Sequence, residues 1–502
     1  MRLLLILLLA WPAWANQAEP RYYQNPIIHA DYADPDAIRV GTNYYLIASS
    51  FNEVPGLPLL TSTDLVHWQL VGHALPRNVP DAHYRQVQHG NGVWAPALRF
   101  HGGRFWIFYP DPDFGIYVLS ATDFRGPWSP PRLLLPGKGI IDPAPFWDDD
   151  GRAWLLHGWA KSRAGFNNVL TLREMAPDVS QMLEDEGQLV VDGNRLPGFR
   201  TLEGPKLYKK DGYYYIFAPA GGVKEGWQTV FRSRQLQGPY QHRITLAQGN
   251  TDINGPHQGA WVTATDGSDW FIHFQDKGPY GRITHLEPMV WRQGWPVMGN
   301  EGEPVARHPS PPGPPSTALA RGSDHFDKSL ALAWQWNANP SEDWARIQAG
   351  QLHLKALAGP DNLWQVPNLL LQKFPAQAFG AEVSLMAPAQ GVRRAGLLIY
   401  GSDYGWVGAE QNAKGPVLVM VLCQKAKQGC REQRWQAPFT GQVARLGVQV
   451  NAAAQVQFLA NGQPLGPPFT AQPGRWIGAR IGLFAQGDGQ QEARFDDFSL
   501  HF

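Results

Sequence analysis

Apolar and polar positions alternate along this chain in short runs. Five of the runs repeat one grammar: a polar or aromatic residue beside a proline, an apolar strand, a Gly or Asp-Gly turn, then an aromatic strand. They begin at Asp34, Trp94, Asp142, Glu203 and His257, spaced by roughly 48 to 61 residues, the scale of a four-stranded propeller blade with its connections. Alternation with a period of two and frequent turn signals predict strands, and five repeats predict five blades. Three further segments, beginning at Ser62, Ser120 and Ser233, share a Ser or Thr, a turn and an aromatic residue before an apolar strand, as outer strands of such blades would. The pattern therefore predicts an all-β, five-bladed propeller over residues 22–300.

Residues 301–323 contain the run HPSPPGPPS, which reads as a stiff polyproline-like connector without strand potential. Beyond it, residues 324–502 alternate again in about ten short strands with no helical pattern between them, and a two-sheet β-sandwich is the natural reading. Cys423 and Cys430 flank a short polar stretch between the apolar run PVLVMVL and the segment REQRWQ. This predicts a hairpin stapled by a disulfide in an oxidising compartment.

The first fifteen residues carry Arg2, an apolar run from Leu3 to Ala10 and the small-residue pattern Ala13-Trp14-Ala15, a secretory signal cleaved before Asn16. The expected location is the periplasm or the exterior. The apolar run is too short to span a bilayer and no later segment approaches the length required. Neither cysteine lies near the cleavage point, which argues against a lipid anchor. With 43 basic against 43 acidic residues the chain offers no electrostatic case for nucleic acid or an anionic membrane as partner. Its 21 Trp, 16 Tyr and 23 Phe suit both propeller cores and sugar stacking, so the aromatic load does not choose between them.

The first position of each repeat is where the innermost strand of a blade starts, and these starts converge on the propeller axis. Asp34, Asp142 and Glu203 would then face one small cavity, a costly arrangement unless the cavity performs charge chemistry. Singly, Asp-Pro and Glu-Gly-Pro are ordinary turn formers; their recurrence at matched positions favours the axial reading. Hydrolysis of a glycosidic bond needs one carboxyl group to protonate the leaving oxygen and another to assist the incoming group. Asp34 and Glu203 can oppose each other across the axis, with Asp142 beside one of them raising its proton affinity by like-charge repulsion. The assignment is Asp34 as general base on water, Glu203 as general acid and Asp142 as tuner. It carries a carboxylate gap of roughly 6.5 to 9.5 Å and inversion of the anomeric configuration.

Together the stretches NPIIHADYADPDAIRVGTNYYLIASSF, NGVWAPALR, IIDPAPFWDDDG, TLEGPKLY, GPHQGAWV and GRITHLEPMVW resemble family 43 glycoside hydrolases. The whole chain resembles the β-xylosidase and α-L-arabinofuranosidase branch, whose propeller carries a C-terminal concanavalin A-like, jelly-roll sandwich. The resemblance implies the same three roles for Asp34, Asp142 and Glu203. It also implies that Phe51 and Trp94 line the subsite for the terminal sugar and that Arg282 reaches the sugar hydroxyls or a catalytic carboxylate. His257 at the fifth axial position is implied to support a central calcium ion and its waters, although calcium prefers oxygen ligands.

The implied activity is exo-acting, inverting release of terminal pentose from hemicellulose-derived oligo- or polysaccharide. β-Xylosidase is favoured over α-L-arabinofuranosidase. A catalytically silent carbohydrate-binding propeller is the alternative from a different class, and intact Asp34, Asp142 and Glu203 speak against it. A retaining fructan or sucrose hydrolase is a rival enzyme, but Asp34-Pro35-Asp36-Ala37 and Ile141-Asp142-Pro143 depart from that group's motifs. In the sandwich, Trp334, Trp336 and Trp364 are expected to pack one sheet on the other rather than bind glycan, and the domain is expected to help close the active-site rim.

Overall fold

A computed structural model describes residues 21–184, 186–317 and 322–502; the expected signal segment lies outside these residues. Five four-stranded antiparallel sheets follow one another along the chain, each built from consecutive strands in the order inner to outer. The inner strands are Asp36–Val40, Ala97–His101, Ile140–Trp147, Lys206–Lys210 and His257–Thr263. They coincide with the five repeats read from the sequence.

The apolar half of each alternation packs between blades. One cluster joins blades 1 and 2 through residues such as Leu59, Leu98 and Ile107, and four equivalent clusters fill the remaining gaps of the ring. Among the described residues no strand is shared between the first and last blades. The ring is closed instead by the N-terminal segment, where the Asn25 side chain accepts from the Leu286 amide and donates to the Leu286 and Val305 carbonyls.

The connector departs from expectation. Arg307–Pro309 forms a two-stranded sheet with Tyr22–Gln24, and the Thr63 amide and hydroxyl bond Ser316 and Pro314. Proline lacks a donor but is tolerated at the edge of such a pair, so a proline-rich run still straps itself to blade 1.

The second domain is a sandwich of a seven- and an eight-stranded sheet around one core, more strands than the roughly ten expected because several are only two to four residues long. Cys423 ends the strand Gly415–Cys423 and bonds to Cys430 across the turn leading into Gln433–Pro438, as the hairpin reading predicted.

The two domains are joined through buried polar contacts. The backbones of Val54 and Trp336 pair, the Tyr280 hydroxyl reaches into the sandwich to the Gln377 and Asn451 carbonyls, and Trp364 stacks on His89 at 3.7 Å between ring centroids. At the centre of this interface Arg480 of the sandwich meets two propeller carboxylates. Its Nε lies 2.5 Å from Glu53 Oε1 and its Nη2 lies 2.7 Å from Asp31 Oδ2, with Lys373 adding a second cation 3.4 Å from Glu53. Burial pushes both carboxyl groups up, but Arg480 and Lys373 outweigh it and hold both below the usual carboxylate range. Arg480→Met would leave two buried carboxylates short of their partner, and it is expected to cost about 3–5 kcal/mol. The check is the denaturation midpoint, and an unchanged midpoint would show that the cluster does not hold the domains together.

Candidate active site

Asp34, Asp142 and Glu203, at or just before the starts of three inner strands, come together at one end of the axis. Asp34 and Asp142 both sit at positive φ, 54° and 55°, a left-handed conformation that costs a non-glycine residue energy and turns the side chain out of the strand register. In blade 3 the ladder is bulged between Ile141 and Ala144, which frees Asp142 from strand pairing and points its carboxyl at the axis. Glu203 precedes Gly204, whose φ of 58° lets its amide turn inward; that amide donates to Asp142 Oδ2 at 2.7 Å.

The three carboxylates line a pocket of about 300 Å³ with Phe51, Trp94, Thr201, Gln258 and Arg282. All three residues of the expected triad are therefore together. Asp34 accepts from the Ser49 hydroxyl at 2.5 Å, and Arg282 Nη1 lies 3.0 and 3.1 Å from its two oxygens. Of the two targets expected for Arg282, it holds the carboxylate. Phe51 is buried at φ 51° and packs with Ala33, while the Trp94 indole is fixed by its Nε1 bond to the Gly90 carbonyl at 2.8 Å. Both expected aromatic residues thus line the pocket.

Asp142 is buried among like charges. Burial pushes its carboxyl up to about 8; the charge of Glu203 and then that of Asp34 add to the rise, while the Gly204 amide and the Lys206 ammonium oppose it. Asp142 therefore binds a proton at neutral pH beside Glu203.

His257 is fully buried, and its Nε2 lies 3.0 Å from Glu203 Oε1, which fixes that carboxylate. The calcium expectation for His257 meets a donor set that does not fit. The other ring nitrogen, Nδ1, is buried without a hydrogen-bond partner, yet no group of three or more His, Cys, Asp or Glu suited to a metal occurs among the described residues. Calcium takes six to eight oxygen ligands. The buried Lys206 is close enough to feel the charges of Asp36, Asp142 and Asp34, and burial pushes its ammonium down.

The sequence reading missed Trp476. It lies in the loop before the sandwich strand Arg480–Gly487, yet it lines the propeller pocket, 6.1 Å from Trp94 in an edge-to-face arrangement and 5.8 Å from the Arg282 guanidinium. Trp334 and Trp336 are buried in the sandwich core as expected, whereas Trp364 is buried in a separate cluster and against His89 of the propeller. No strand periodicity marks the PGRWIG loop.

The profile of Glycosyl hydrolases family 43 matches residues 23–296, and that of the Beta xylosidase C-terminal Concanavalin A-like domain matches 323–501. A candidate beta-xylosidase of Xylanibacter ruminicola is 38% identical over 403 residues, 79% of this chain and 74% of that one. A non-reducing end alpha-L-arabinofuranosidase of Bacteroides ovatus is 28% identical over 532 residues, 99% and 97% of the two chains. The crystal structure of a GH43 protein from Bacillus licheniformis superposes with a TM-score of 0.84 at 25% identity, over 96% of this chain and 100% of that one.

A reaction that needs Asp142 protonated loses activity as pH rises through about 8. Asp142→Asn puts a neutral amide where a protonated carboxyl stood, so the fall in kcat/KM as pH rises through about 8 is expected to disappear from the pH profile. A fall that stayed in place would contradict the tuning role. A chelator is expected to leave activity and Tm unchanged, and losses restored by calcium would show that the axis does hold the metal.

Proposed function

The chain belongs to glycosyl hydrolase family 43 and is a glycoside hydrolase, and on that premise we propose that it releases single terminal pentose units with inversion, β-D-xylose in the first place. The observation that carries this reading is the convergence of Asp34, Asp142 and Glu203 on one pocket of about 300 Å³, partly covered by Trp476. A small hollow at the end of a propeller axis suits the end of a glycan chain.

Each step has a residue placed for it. Asp34 is oriented by Ser49 and Arg282 and takes a proton from the attacking water. Glu203, positioned by His257, gives the proton of the Asp142–Glu203 pair to the leaving oxygen. One water is consumed, its hydroxyl joining the anomeric carbon from the face opposite the departing group. At the end of the cycle Asp34 carries the proton taken from water and the pair has lost one, so exchange with solvent resets the site. Phe51 and Trp94 supply apolar faces for the sugar ring, and Trp476 is placed to meet the next residue of the chain.

The 38% identical relative carries a xylosidase name and the 28% identical one an arabinofuranosidase name, which puts xylose first. α-L-Arabinofuranose is the second reading on the strength of the latter, whose likeness spans 99% of this chain. The signal-like N-terminus and the Cys423–Cys430 bond support an exported protein, and no helix among the described residues is long and apolar enough to cross a membrane.

Side-by-side assay of nitrophenyl β-D-xyloside and nitrophenyl α-L-arabinofuranoside is expected to show faster release from the xyloside. NMR of the first-formed sugar should show the α-anomer. Inactivity on both compounds would reject the pentosidase reading, and a β-anomer from the xyloside would reject inversion.

A further inference from the structure

The inner strands that start at the catalytic pocket end at a second hollow. Five residues after Asp34, Trp94, Asp142 and Glu203 stand Arg39, Arg99, Trp147 and Tyr208, roughly 17 Å further along at the usual rise of a strand. With Trp261 and Phe100 they line a cavity of about 530 Å³ at the opposite mouth of the propeller, larger than the catalytic pocket and contributed to by all five blades.

Its lining is unusual for a solvent-facing surface. Phe100 is 42% exposed, and Trp147, Tyr208 and Trp261 are each partly exposed. Hydrogen-bond donors stand among these rings. Arg39 donates to the backbone carbonyls of Thr263 and Gly41 and has no carboxylate partner among the described contacts. Arg99 holds Asp36 through Nη1, while its Nη2 is buried with no partner.

We propose that this mouth is a second carbohydrate-binding site, one that takes internal residues of a neutral hemicellulose chain. The proposal rests on the glycosidase reading above for the class of glycan. Pyranose rings present apolar C–H faces to aromatic side chains and hydroxyl oxygens to guanidinium donors, and this lining offers both. A polyanion fits less well: Lys209 on the rim is already matched by Asp148 and Asp149, and the chain as a whole has 43 basic and 43 acidic residues.

The gain for the enzyme is one of effective concentration. A pocket for a terminal sugar grips a long polymer weakly, because only the end enters. Holding the interior of the same or a neighbouring chain at the far mouth keeps chain ends near the catalytic mouth between turnovers.

The test is affinity electrophoresis of the full chain through native gels containing soluble arabinoxylan, with excess free xylose to occupy the catalytic pocket. Retardation of the parent protein is expected. Trp147→Ala and Phe100→Ala should each weaken it about tenfold, the loss expected from one stacking ring. Arg39→Ala, at an exposed side chain, should weaken it without risk to the blade. All three variants should hydrolyse the nitrophenyl glycoside within about twofold of the parent, since none lies near the catalytic pocket. A variant that loses this activity is misfolded, and the remaining two then decide. Absence of retardation in the parent, retardation equal in parent and variants, or binding of single-stranded DNA in place of arabinoxylan would each overturn the proposal. Failure of the catalytic reading would show separately, as a parent inactive on nitrophenyl glycosides whatever its mobility in the gel.

Discussion

Asp31 is the residue through which the two domains and the catalytic pocket are mechanically one object. Its Oδ2 accepts from Arg480 Nη2 at 2.7 Å and from the Gly478 amide at 2.9 Å, both on the sandwich. Its Oδ1 accepts from the backbone amide of Arg282 at 2.9 Å, and the Arg282 side chain holds Asp34. Gly478 is two residues from Trp476. A single buried carboxylate thus sets the position of the arginine that orients Asp34 and of the loop that supplies an aromatic wall. The geometry is economical, but it requires a charge in the dry interface. Glu53 and Asp31 on one side and Arg480 and Lys373 on the other meet that requirement by pairing, which is why the sandwich cannot be a freely swinging appendage.

The second constraint is the crowding of like charges at the axis. Three carboxyl groups in a small buried hollow cannot all be ionised cheaply, and the surroundings treat them differently. Asp34 is given a guanidinium and a hydroxyl, Glu203 a histidine, and Asp142 a single backbone amide. The least supported group takes up the proton. Burial pushes the nearby Lys206 ammonium down, against the charges of Asp36, Asp142 and Asp34, which hold it up.

Much of this was legible in the chain, for physical reasons that also explain the gaps. Asp34, Asp142 and Glu203 stood out because a blade is a repeat, and a repeat puts unlike residues at equivalent positions where their chemistry can be compared. Arg282, Phe51 and Trp94 were named from the resemblance rather than from spacing, and the geometry brings them to the same pocket. Trp476 was invisible because its placement depends on docking between domains, a relation of more than 380 residues in sequence from Trp94 that no local pattern encodes. The strand at Arg307–Pro309 was hidden by its composition, since a proline-rich run reads as connector until a partner edge such as Tyr22–Gln24 is known. The extra sandwich strands were hidden by their brevity; Gln335–Trp336 and Phe469–Thr470 are too short to show alternation.

In four of the five repeats a proline explains how one strand serves two ends. Pro35, Pro96, Pro143 and Pro205 follow the axial residue by one or two positions, and a proline has no amide to give to a ladder. In blades 1, 2 and 4 regular pairing accordingly begins only at Asp36, Ala97 and Lys206, and in blade 3 the ladder is interrupted across Asp142 and Pro143. Above the proline the chain is released from pairing, so Asp34 and Asp142 can adopt the left-handed conformation that aims them at the pocket. Below it the strand runs regularly, and side chains five positions on emerge at the far mouth. The proline therefore separates a stretch of backbone committed to chemistry from one committed to the sheet. Because the break recurs in each of these blades, Asp34, Trp94, Asp142 and Glu203 from distant parts of the chain come to line one pocket.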